Sequence, residues 1–347
     1  MKVRNIAVLG SLAIAACAEP PVSPAATSRM DAWSGNAAVQ TDAENVAYSS
    51  VLADMNAQLR AAKAGVQINK AELLVAPDGA QNATLLIADD RTHGTGVEFV
   101  NRDPRRGGHA GVTYALALGN APWKVRPFTR NPDGSNLHQV DLAQMAAQIQ
   151  EGVGAWRDRT CSDAPITEVS VPAGVDVDQL DNLVFGQPLT GYQPFVADVV
   201  EGGWLPSSFF TAIAQGPAGN SIIGVTFTFH FTNDDDSATD VDNNGAADAA
   251  FAEIYYNSRF AWGNTQALNV VDFYSIITHE TGHALGLGHF GKVFVASNGL
   301  NPDGTIKSLD AIKYAPKAMM NAVYVTGRSE IAGTDNSSFC QIWASKN

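Results

Sequence analysis

Residues 278–291 read Thr-His-Glu-Thr-Gly-His-Ala-Leu-Gly-Leu-Gly-His-Phe-Gly, and this run decides how the rest of the chain is read. His279 and His283 stand four apart, so on a helix their imidazoles share one face and can converge on a single ion. Glu280 then points beside that ion and not at it. Gly286 can adopt the left-handed conformation that ends a helix, and the turned chain can carry His289 back as a third nitrogen donor. Three histidines leave one position of a tetrahedral ion open, which fits a catalytic metal better than a structural one.

Outward from this run, Asp272 is positioned to cap the helix, and Phe273, Ile276, Ile277, Ala284 and Leu287 supply its apolar face. Downstream lies Ala318-Met-Met-Asn-Ala-Val-Tyr324. The spacing H-E-x-x-H-x-x-G-x-x-H, followed by this methionine-bearing stretch, resembles the metzincin zinc endopeptidases, and among them the matrixins, over about residues 107–347. The resemblance implies zinc on His279, His283 and His289, Glu280 as general acid/base, and Met320 in a tight Met-turn beneath the metal. Phe290 stands where matrixins carry Ser or Thr, and Ala322 where they carry Pro. Ala322 also excludes the extra Tyr ligand of astacin-like and serralysin-like relatives, so a three-histidine site is expected.

Upstream, Val140, Met145, Ile149, Val153 and Trp156 recur at helical spacing within 138–159, resembling the first helix of the metzincin N-terminal subdomain. The runs 166–171 and 222–231 are rich in β-branched and aromatic residues and predict strands, with His230 a packed or edge residue and not a ligand. The expected class is α+β, a mixed twisted sheet with long helices. Between the second strand and the metal helix, Asp240, Asp242, Asn244 and Asp248 alternate around Gly245, a pattern suited to wrapping calcium. Position twelve of this loop is Phe251 where an EF-hand needs Glu, and a solvated acidic turn is the alternative. The stretch 251–257 lacks the histidines of a second, structural zinc site.

The start of the chain concerns destination. Lys2 and Arg4 precede an apolar run from Ile6 to Ala16, too short to span a bilayer as a mature helix. Ile14-Ala-Ala-Cys17 resembles a bacterial lipobox, so residues 1–16 are expected to be a signal peptide. Cys17 would be the lipidated residue, and 17–40, rich in Pro, Ala and Ser, a flexible tether. Cys161 and Cys340 then remain as an even pair in an exported protein, expected as a disulfide. Residues 41–106 read as a small α+β region. Thr41 and Glu44 form a capping-box pattern, a helical stripe runs from Tyr48 to Leu59, and strand-like runs lie at 73–75, 85–88 and 97–100. Propeptide, recruiting module and spacer are all open for this region. Asp103-Pro-Arg-Arg-Gly-Gly108 reads as its exposed junction with the catalytic domain at 107–347.

The 347 residues carry a net charge of -13, which argues against nucleic-acid partners and suits an exported, cation-binding protein. The implied partners are a protein or peptide substrate, and a membrane only through the lipid anchor. A non-catalytic zinc-binding envelope lipoprotein and a small-molecule amide hydrolase on the same scaffold are the rival classes. The intact Glu280 favours an enzyme.

Overall fold

In the computed structural model the described residues are 42–76, 101–102, 111–119, 121–130, 137–187, 193, 195–241, 243, 247–264, 270–289, 292–295, 312–315, 317–321, 324 and 330–344. The signal peptide, the tether, Cys17, the junction at 103–108 and the runs at 85–88 and 97–100 lie outside them. The class is mixed α+β.

The centre is a seven-stranded sheet. Along it run β1 (Val66–Val75), β8 (Ile222–Phe231), β9 (Asp248–Asn257), β7 (Val199–Leu205), β3 (Val112–Leu116) and β6 (Ile166–Glu168), with β2 (Asn101–Arg102) also pairing β9. β8 is antiparallel to both neighbours, whereas β7, β3 and β6 continue in parallel. Parallel strands need both faces covered, and β7 is accordingly buried at every residue.

Two apolar layers do the covering. In β9 the pleat sends Ala252, Ile254 and Tyr256 into one core with α2 (Leu142–Arg157) and α5 (Phe273–Ala284). Phe251 and Tyr255 point the other way, toward α1 (Asp42–Ala61), α3 (Leu180–Val184) and α4 (Ser207–Ile213). α2 begins at Asp141, whose side chain accepts from the Gln144 amide while the Gln144 side chain returns to the cap. Gly152 lets α2 approach α5, since a Cβ there would stand 2.5 Å from Ile277 Cγ2. The Trp156 indole closes the crossing by donating to the Thr278 carbonyl at 2.7 Å.

A smaller sheet of β4 (Phe128–Arg130), β5 (Leu137–Gln139), β10 (Ala261–Gly263) and β11 (Val271–Asp272) leads into α5. β12 (Lys292–Val295) and β13 (Ile312–Ala315) form an antiparallel ribbon, and α6 (Gly333–Trp343) closes the described chain. Cys161 and Cys340 are joined, tying the end of α2 to α6.

The N-terminal region does more than the sequence suggested. Its strand extends from Val66 and not from Leu73, and it pairs with β8 along its length, from Val66 opposite Phe231 to Val75 opposite Ile222. Val51, Leu52, Met55 and Leu59 of α1 enter the same core as Phe209, Phe210 and Phe227. The sheet is therefore continuous across the boundary near residue 107.

Candidate metal centre

α5 starts where Asp272 Oδ2 accepts from the Ser275 amide at 2.8 Å and its hydroxyl at 2.6 Å. It ends at Ala284, and Gly286 takes φ +90°, the left-handed conformation that turns the chain back. This turn brings His289 to the helix. The Nε2 atoms of His283 and His279 stand 3.0 Å apart, and those of His283 and His289 3.2 Å apart. Two nitrogens on a tetrahedral ion with bonds of ~2.0–2.1 Å would be separated by about 3.3 Å, so the spacing is that of a ligand set. All three rings are buried.

Tautomers make the case stronger than distance does. His279 Nδ1 faces the Met319 carbonyl at 2.8 Å, and His283 Nδ1 faces the Leu287 carbonyl at 2.7 Å. A carbonyl only accepts, so each Nδ1 donates its proton outward and each Nε2 is left turned toward the other rings. With Nδ1 committed outward on His279 and His283, their Nε2 atoms 3.0 Å apart are placed to share one cation. The triad could hold a metal ion, and it is the only such cluster among the described residues.

The methionine turn lies against the same helix. Met320 Sδ would be 2.5 Å from a Cβ at position 282, so Gly282 is what allows the turn to sit there. Asp335 of α6 braces it, with Oδ2 accepting from the Met319 and Ala332 amides and Oδ1 from the Met320 amide. The Trp343 indole donates to the Leu285 carbonyl at 2.9 Å and fixes the end of α5.

Glu280 turns toward the sheet. Its Oε2 accepts from the Thr226 hydroxyl at 2.7 Å, and that hydroxyl also lies 3.0 Å from the Glu280 carbonyl. Its Oε1 is buried without a hydrogen-bond partner among the described residues. A Cβ at position 224 would come within 2.6 Å of Oε1, so Gly224 leaves room for the carboxylate. Burial drives Glu280 well above the usual carboxylate range, with Glu72 and Glu201 adding to the shift and Thr226 opposing it. A cation in the triad would act against that shift.

Three contributors were not singled out in the sequence: Thr226, Asp335 and Glu72. Glu72 Oε2 lies 2.9 Å from His283 Nδ1, and Lys70 Nζ lies 2.8 Å from the same oxygen. No local pattern marks them, because each acts across a long sequence separation. The alternation of Lys70 and Glu72 beside the apolar run at 73–75 is the one trace of them in the sequence.

The acidic loop is only partly described. Asp242 and Asn244 lie outside the described residues. Asp248 is buried, and its Oδ2 accepts from the Val241 amide at 3.1 Å, so it closes the turn that follows Asp240. His230 lies on β8 opposite Gln67, away from the triad.

A second buried polar cluster lies beyond the sheet centre. Lys124 Nζ donates to the carbonyls of Ala117 and Gly202 at 2.6 and 2.7 Å, pairs with Asp178, and lies 3.8 Å from Asp181 Oδ2. Asp181 also accepts from the Trp123 indole, and nearby Glu253 accepts from the Gln179 and Leu180 amides. Burial pushes Asp178 up to about 7 even though Lys124 draws it down.

No protein-family model and no curated protein matches this chain.

Proposed function

We propose that this protein is a zinc-dependent endopeptidase of metzincin type, closest to the matrixins, exported and held at the bacterial envelope through lipid on Cys17. The observation that carries the metal reading is the convergence of the Nε2 atoms of His279, His283 and His289 in a buried cluster. Three nitrogen donors favour zinc over the hard cations magnesium and calcium, which take oxygen.

A zinc ion bound there supplies polarisation of a scissile carbonyl and an acidified water. The chain's own residues do the rest. Glu280 keeps Oε2 on Thr226 and leaves Oε1 to take the proton of the attacking water and to return it to the leaving amine. The carbonyls of Met319 and Leu287 hold two imidazoles in the tautomer that offers Nε2.

Glu280→Gln keeps the shape but cannot accept a proton. It should lower hydrolysis of a denatured protein substrate by ~10²–10⁴-fold while zinc stays stoichiometric. His283→Ala should lose the zinc itself, read by metal analysis of the purified protein. Near wild-type cleavage by the first variant, or full zinc occupancy in the second, refutes the assignment.

Two further readings rest on sequence. Cys17→Ser should move the protein from the membrane fraction to the soluble one, because no described helix is long and apolar enough to cross a membrane. Retention in the membrane would mean another anchor. Calcium is the proposed occupant of the loop 240–248. Added calcium should raise the melting temperature of the zinc-loaded protein, and an Asp240→Ala, Asp242→Ala double variant should lose that rise.

A further inference from the structure

We propose that Glu72 is a positioning residue of the metal centre, acting through His283, and that β1 is thereby a working part of that centre. The inference rests on the metal reading above. Lys70, Glu72 and Leu74 alternate on the face of β1 that meets the core around α5, while Ala71 and Leu73 pack into the core on the opposite side. Lys70 and Glu72 are each 1% exposed, so this is a buried ion pair and not a solvated strand face. A strand does not keep two charges there without a use, since desolvating them costs free energy that their mutual attraction returns only in part.

The use is visible in what Glu72 touches. Its Oε2 lies 2.9 Å from His283 Nδ1, behind the ring and away from the converging Nε2 atoms. The Nδ1 proton already has the Leu287 carbonyl at 2.7 Å, so the carboxylate adds negative charge more than a second directed bond. Negative charge behind a ligating imidazole makes its Nε2 a stronger donor and fixes the ring. Lys70, 2.8 Å from the same oxygen, keeps Glu72 from standing as a lone buried anion. β1 register adds a second link, because Glu72 lies opposite Thr226, the residue that holds Glu280. Residues 66–75 therefore reach both the ligand set and the base.

The test uses residues 18–347, which lack only the expected signal peptide and lipidated Cys17, with zinc affinity measured by chelator competition and the melting temperature of the metal-free protein measured alongside. Glu72→Ala should weaken zinc binding by ~10–100-fold, with Glu72→Gln in between. Replacing both partners, Lys70→Met with Glu72→Leu, removes the buried charges together and should leave the metal-free fold as stable as wild type or more so, yet still weaken zinc. Leu73→Ala, on the opposite face of the same strand, should lower the melting temperature and leave zinc affinity unchanged. The proposal is overturned if the Glu72 variants bind zinc like wild type, or if zinc loss merely follows melting temperature across all variants, Leu73→Ala included. It is equally overturned if Glu72→Ala hydrolyses peptides faster at unchanged zinc affinity, which would make β1 a cover over the site. A wild-type chain that takes up no zinc refutes the metal reading itself, and this inference with it.

Discussion

The His279–His283–His289 triad and the Lys124 cluster are both buried polar groups in one fold, but they solve opposite electrostatic problems. At Lys124 the chain supplies its own cation. The ammonium sits among Asp178, Asp181 and two backbone carbonyls, and burial, which opposes its charge, is outweighed by those carboxylates so that its pKa lies above the ordinary value. At the triad the chain supplies donors alone. His279 and His283 have Nδ1 committed to carbonyls, and their Nε2 atoms converge with that of His289. A cluster of acids is thus a poor guide to a metal site when a lysine already occupies its centre. A set of nitrogen donors aimed at one point is a better one.

The largest test of this contrast is Lys124→Met. Leaving buried carboxylates without their cation should cost about 3–5 kcal/mol of stability in denaturant titration, with zinc affinity unchanged. Should the variant instead fold normally and bind a divalent cation in place of the ammonium, the two clusters are alike and the contrast fails.

Glu201 sharpens the same contrast with a smaller effect, because it is a buried acid with no cation beside it. It sits on β7 with Oε2 accepting from the Tyr256 hydroxyl at 2.8 Å, and burial pushes it from 4.5 up to about 8, against the pull of that hydroxyl. The folded state therefore holds a proton that the unfolded chain releases. That contribution is complete below pH 4.5 and is lost as pH rises toward about 8. Wild type should lose up to about 1.4 kcal/mol of stability per pH unit within this window. Glu201→Gln should flatten the profile, read as melting temperature against pH. Equal slopes in the two proteins would mean that Glu201 is ionised in the fold.

Local chemistry made much of the metal helix legible. Asp272 as the cap, Gly286 at the turn and the four-residue spacing of His279 and His283 each act within a few residues, and all appear where the sequence placed them. The strand 222–231 and the body of α2 were legible because periodicity is a short-range signal. Residues 138 and 139, however, belong to β5, the helix begins only at Leu142 beyond the Asp141 cap, and the run 166–171 forms a strand only to Glu168. The pairing of Cys161 with Cys340 followed from counting. Of β1 the sequence pattern marks only 73–75, since Lys70 and Glu72 interrupt its apolar run. Only its docking on β8 shows that Lys70 and Glu72 face a core.

The sequence by itself determined which residues could ligate a metal and which could move a proton, because ligand type and helical spacing are properties of short stretches of chain. Tertiary structure decided what surrounds them. It brought Thr226 to Glu280, Asp335 to the methionine turn and Glu72 to His283, across separations of 54, 16 and more than two hundred residues. The physical reason is that a buried polar group must find its partner wherever the packed elements deliver one, and no local pattern encodes which distant strand that will be.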